Sequence, residues 1–106
     1  LGFPTANIEL PEGVIVPRHG VYACRAFAGD QSYMAVCNVG NRPTVEGHQV
    51  RTETWLLDFA GDLYGQAVTL EFFYFLRPEQ KFESLDALKA AVLQDAENTR
   101  RFFENS

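Results

Sequence analysis

The chain has 106 residues and 46% hydrophobic content, room for one domain with one core and too apolar for a disordered segment. Its formal charge is −5 and its pI about 4.9, which argues against a nucleic-acid binder with a basic face while leaving room for a local phosphate site. No apolar run approaches the roughly 18 residues of a membrane span, so neither nucleic acid nor membrane is an expected partner.

Position 1 is Leu and the only methionine is Met34, so the sequence reads as a piece of a longer polypeptide, and its opening Leu1-Gly2-Phe3-Pro4-Thr5 does not read as a signal peptide. Cys24 and Cys37 are too few for a secreted disulfide scaffold. They read as buried thiols of a reducing, cytoplasmic compartment, with a cross-strand disulfide as the alternative.

In chain order, a short extended piece near Asn7 to Leu10 adds an edge. Val21 to Phe27 is a strand of β-branched and aromatic residues, and Ala28-Gly29-Asp30-Gln31 is a turn. Ser32 to Val39 is the hairpin partner. Gly40 to Val50 reads as a loop of about eleven residues, long for a hairpin. Thr52 to Phe59 and Val68 to Leu76 are the next strands. Strands that follow one another without helices between them imply an antiparallel sheet. The period then changes: Leu85, Leu88, Val92, Ala96, Thr99 and Phe103 recur every three or four residues behind Ser84, a plausible N-cap. The expected architecture is mainly β, a barrel or strongly bent antiparallel sheet, with one C-terminal helix about 30 Å long.

Three segments could carry chemistry. Side chains alternate along a strand, so Glu53 shares a face with Trp55, Leu57 and Phe59, the more apolar face and the one expected to point inward. A carboxylate there is either a general base at a barrel mouth or a strand-end acid that reaches solvent. Pro4-Thr5-Ala6-Asn7 is either a plain turn or a hydroxyl and an amide presented to a metal–phosphate group, since hard cations take oxygen ligands. In the 40–50 loop, Arg42 could bind phosphate or be solvated. His48 and His19 read as surface residues, because no second His lies at metal-site spacing. No Walker loop, zinc motif or nucleophile elbow is present.

Together these segments resemble riboflavin kinase over nearly the whole chain. Leu1-Gly2-Phe3-Pro4-Thr5-Ala6-Asn7-Ile8 resembles the family's Pro-Thr-Ala-Asn signature. Cys37-Asn38-Val39-Gly40-Asn41-Arg42-Pro43-Thr44 resembles its asparagine–glycine–arginine–proline–threonine segment. Glu53 to Phe59 with Asp62-Leu63-Tyr64-Gly65 resembles the stretch holding its glutamate, and Phe75 to Phe82 its approach to the helix. The resemblance implies a Greek-key β-barrel, six-stranded in the full domain, and transfer of the ATP γ-phosphate to the ribityl 5′-hydroxyl of riboflavin, giving FMN and ADP. It implies Glu53 as general base, Pro4, Thr5 and Asn7 at the nucleotide, Thr5 and Asn7 on Mg²⁺, and Arg77 and Phe82 near the flavin. The family's usual His two residues after the glutamate is Trp55 here. The family also carries another strand and a glycine-rich loop before the first motif, which residues 1–106 lack. An N-terminal adenylyltransferase domain in the parent chain is the expected neighbour. The alternative function is a non-catalytic flavin- or nucleotide-binding barrel.

Overall fold

The computed structural model describes residues 5–9, 18–44, 47–59 and 67–105. Five strands and one helix follow in order: β1 (Thr5–Glu9), β2 (Gly20–Ala28), β3 (Gln31–Thr44), β4 (Gly47–Leu56), β5 (Val68–Arg77) and α1 (Leu85–Glu104). The strands form one antiparallel sheet in the order β1-β4-β3-β2-β5. β2, β3 and β4 make a meander, and β1 and β5 each return to lie beside its far member. Both returns are Greek-key connections, as expected. Hydrogen bonding among the described residues runs from β1 to β5 without joining these two edges.

The β2–β3 hairpin turns on Gly29 and Asp30, between the paired residues Ala28 and Gln31. Gly29 has φ 61°, which a residue without Cβ adopts at no steric cost, as the first position of a tight hairpin demands. The 40–50 segment is not a long loop. β3 and β4 stay paired out to Thr44↔Gly47, including Pro43↔His48. β2 reaches only to the Gly20↔Val39 pair, so from Gly40 onward β4 is the hydrogen-bonded neighbour of β3 among the described residues.

β2, β3 and β4 carry buried side chains on both faces, whereas β5 is half-buried or exposed throughout. One face carries Tyr22, Cys24, Ala26, Ala35, Cys37, Val39 and Leu56, with Tyr33, Phe59, Val68, Leu70 and Phe75 packed against them. The other carries Val21, Val36, Trp55 and Leu57 under Val92 and Ala96 of α1. Cys24 and Cys37 are fully buried free thiols on diagonal positions of β2 and β3, not a disulfide.

α1 begins where its cap predicts. Ser84 Oγ accepts a hydrogen bond from Ala87 N–H at 3.1 Å. Val92, Ala96 and Thr99 are buried as the spacing requires, but Leu85 in the first turn is 74% exposed. Two ion pairs tie the helix down. Arg77 at the end of β5 bridges Asp95, and Arg100 reaches Asp58 at 3.1 Å. Asp58 has φ 56°, a left-handed conformation that breaks the alternation after β4. Phe59 therefore crosses to the other face, where it meets Tyr33 edge-to-face at 4.8 Å, instead of continuing the row of Glu53, Trp55 and Leu57.

Candidate active site

The β1–β4 register brings two of the sequence motifs together. Thr5 is paired with Trp55 and Asn7 with Glu53. Directly opposed residues on an antiparallel pair have Cα atoms roughly 4.5–5.5 Å apart. Thr5 and Asn7 thus lie in a strand and not in the turn that their composition suggests, and Pro4 lies outside the described residues.

The expected orientation of β4 is corrected. Thr52, Thr54 and Leu56 form its fully buried row, on the face of the two cysteines. Glu53 is exposed, on the face that α1 covers further along at Trp55 and Leu57. The apolar weight of Trp55 and Leu57 reflects packing against the helix rather than the inside of a barrel. Glu53 thus reaches solvent instead of lying in the core.

Solvent here is a pocket. Glu53 lines an open cavity of about 150 Å³ between the sheet and the start of α1. Its apolar walls are Val21, Trp55, Phe82, Leu88 and Val92, and its polar groups are Asn38, Glu53, Arg77, Glu79 and Gln80. A few polar groups converging on apolar walls are what a small-molecule site needs for orientation and desolvation. Arg77 and Phe82, both expected near a ligand ring, share this pocket with Glu53. Arg77 Nε donates to Asp95 Oδ1 at 3.0 Å and Nη2 to Oδ2 at 2.8 Å, a planar fork on one carboxylate. Its guanidinium carbon is 5.7 Å from the centre of the Phe82 ring.

Asn38 Nδ2 donates to Glu79 Oε2 at 3.5 Å, and the Glu79 carboxylate lies over Gly40, in the space a Cβ would fill. The absence of a side chain at Gly40 is thus what lets Glu79 lean across β3. Among the described residues the buried Trp55 indole N–H has no hydrogen-bond acceptor.

On the opposite face, burial raises the Tyr22 hydroxyl above its ordinary pKa, against the lowering field of Arg18. The hydrogen bond with Cys37, and then burial, push the Cys24 thiol far up. Both groups are neutral core members, away from the pocket.

Sequence reasoning missed Asp95, Asn38, Glu79 and Gln80 as site residues. Asp95 left a signal: it is an acid beside Val92, Ala96 and Thr99 in the buried stripe of α1, where a carboxylate needs a cationic partner. Asn41, Arg42 and Thr44 belong to the ribbon beyond β2. Among the described residues, no three His, Cys, Asp or Glu side chains converge as a metal cluster. No described helix is long and apolar enough to cross a membrane.

The same chain matches known proteins along almost all of its length. A profile of the Flavokinase family, described as riboflavin kinase, matches residues 1–103. A bifunctional riboflavin kinase/FMN adenylyltransferase of Bacillus subtilis (strain 168) is 37% identical over 99% of this chain and 34% of its own length. Proteins of the same description from Pseudomonas fluorescens and Escherichia coli (strain K12) are 46% and 43% identical, over 94% and 97% of this chain. A crystal structure described as a macrolide-efflux protein from Streptococcus pneumoniae superposes with a TM-score of 0.84 at 35% identity, over 93% of this chain and 33% of that one. The chain spans about a third of the length of the curated relatives it matches. A family match over residues 1–103, together with 37–46% identity to these relatives over nearly the whole chain, places the chain in the riboflavin kinase (flavokinase) family.

Proposed function

We propose that this domain transfers the γ-phosphate of ATP to the ribityl 5′-hydroxyl of riboflavin, giving FMN and ADP, with Glu53 as general base. The observation that carries the reading is the Asn7↔Glu53 pair, which joins the β1 motif to a carboxylate lining the pocket of Arg77 and Phe82. The flavin ring lies against Phe82, Leu88 and Val92, and extends beyond the enclosed part of the pocket along its open side. The ribityl chain then runs toward Glu53, and the nucleotide phosphates toward Thr5 and Asn7.

An alcohol is a poor nucleophile at neutral pH. As Glu53 takes the 5′-hydroxyl proton, the oxygen bonds to the γ-phosphorus and the bond to the ADP oxygen breaks. A base within hydrogen-bond reach contributes typically about 10²–10⁴-fold. Exposure to the pocket keeps Glu53 reachable by that hydroxyl without burying an unpaired charge.

The residue types also fit a divalent cation. The hydroxyl of Thr5 and the amide carbonyl of Asn7, on a strand paired to that of Glu53, are oxygen donors of the hard kind that Mg²⁺ prefers. When bound, Mg²⁺ would neutralise phosphate charge. The relatives' names couple this activity to FMN adenylylation. An adenylyltransferase domain preceding this one, in a cytoplasmic enzyme, completes the proposal.

The test is incubation with riboflavin, ATP and Mg²⁺, with FMN resolved by chromatography. ATP-dependent FMN formation supports the reading. Flavin binding with no FMN from this chain or from any longer form carrying it would make the domain a binding module instead.

A further inference from the structure

Asp95 is buried, its side chain only 4% exposed, on the face of α1 that packs against the sheet. It does not line the pocket; Arg77, its partner, does. The contact is a two-point fork at 2.8 and 3.0 Å, and Arg77 Nη1 makes a third hydrogen bond to Pro78 O at 3.3 Å. Arginine carries five N–H donors in one plane, and three of them are committed among the described residues. A long side chain that would otherwise sample many rotamers is fixed with its guanidinium near Phe82.

A purely stabilising role accounts poorly for this arrangement. A buried ion pair is weak evidence for stability, since well-packed apolar residues of similar volume often do as well. What a carboxylate supplies and an apolar residue does not is orientation of the guanidinium plane together with neutralisation of its charge. A free guanidinium would favour anionic ligands. A paired one is a flat donor with little net field, suited to an uncharged heteroaromatic ring.

We propose that Asp95 is a positioning residue for ligand recognition: it holds Arg77 as a flat, charge-neutralised wall of the pocket, so that flavin affinity depends on a carboxylate that does not touch the flavin. The inference rests on the riboflavin reading given above.

The experiment is fluorescence titration of riboflavin into the chain in the presence of ADP and Mg²⁺, with nucleotide affinity and thermal midpoint measured in parallel. The variants are Asp95→Asn, Arg77→Lys and the exchange Arg77→Asp with Asp95→Arg. Asp95→Asn keeps the shape but puts an amide against the guanidinium. It should weaken riboflavin about tenfold and leave nucleotide affinity within about twofold. Arg77→Lys keeps the charge and loses the fork, and should weaken riboflavin similarly. The exchange rebuilds the ion pair with the guanidinium on the helix, so it should recover thermal midpoint without recovering riboflavin affinity.

Unchanged riboflavin affinity in folded Asp95→Asn or Arg77→Lys overturns the proposal. So does an exchange variant that regains affinity and midpoint together, for then the pair merely ties α1 to β5. If the unsubstituted chain binds the nucleotide but not riboflavin, the riboflavin reading itself fails, and the proposal with it.

Discussion

Asn7 on β1 and Glu53 on β4 are register partners in one antiparallel pair, with Thr5 and Trp55 paired two residues along. A motif at the head of the chain is thereby fixed against the carboxylate of a strand in the middle of it. Backbone hydrogen bonds set this juxtaposition, so a substitution of either side chain leaves the other's place in the sheet intact. That makes the two functions separable by mutation.

Thr5→Val conserves shape and β-branching while deleting one oxygen. It should weaken Mg²⁺-dependent ADP binding by about tenfold, the scale of one lost ligand or charge-assisted hydrogen bond, and leave the fold in place. Calorimetric titration with and without Mg²⁺ measures it. Equal affinity for both proteins would remove Thr5 from the nucleotide site.

Gly20→Ala should damage both stability and the pocket. Gly20 has φ 151°, and a Cβ there would come within 2.5 Å of the Phe75 ring and 2.6 Å of Arg77 O. The ring edge is packed and the carbonyl is backbone, so neither yields readily. Strain and overpacking together should cost about 3 kcal/mol, read from denaturant unfolding. Because the shifted carbonyl belongs to Arg77, riboflavin affinity should fall in the fraction that remains folded.

The fold should weaken at high pH. Burial raises the Tyr22 hydroxyl above its ordinary pKa of 10.0, while the hydrogen bond between the two thiols raises Cys24 and lowers Cys37, so Tyr22 sets the sign. Below that value Tyr22 is protonated in both the folded and the unfolded chain, and its full contribution to stability is present. Above about pH 9 the unfolded chain begins to ionise where the folded one does not, so stability falls as pH rises. Thermal midpoints measured from pH 7 to 10.5 should decline from about pH 9. In the same pH range, Cys24 and Cys37 should react with a thiol reagent only after unfolding, since both are fully buried. A flat profile or a fast-reacting native thiol would contradict the buried pair.

Much of this fold is legible in the residues themselves. β2 and β5 announce themselves by β-branched and aromatic runs, and α1 by its stripe and its Ser84 cap. Alternation alone places Glu53, Trp55 and Leu57 on one face. It does not say which face is interior, because β4 is buried on both and its threonines, not its aromatic, face the cysteine layer. The β3–β4 ribbon is hidden by its Gly, Asn and Pro, residues that mark turns but here stay paired out to Thr44↔Gly47. Asp58 breaks the alternation through a local left-handed conformation that no period reveals. The Arg77–Asp95 fork joins positions 18 residues apart, and only the packing of α1 on the sheet brings them together.

The central claim concerns the Glu53 carboxylate, and the direct test is FMN formation by Glu53→Gln beside the unsubstituted chain. Gln keeps the shape and loses the ability to take a proton. Glu53 is exposed, so stability should change by less than about 0.5 kcal/mol. Riboflavin affinity should stay within about twofold, and the turnover rate should fall by about 10²-fold or more. Near-normal turnover in Glu53→Gln would contradict the assignment of the base and leave the Asn7↔Glu53 pair as a structural one.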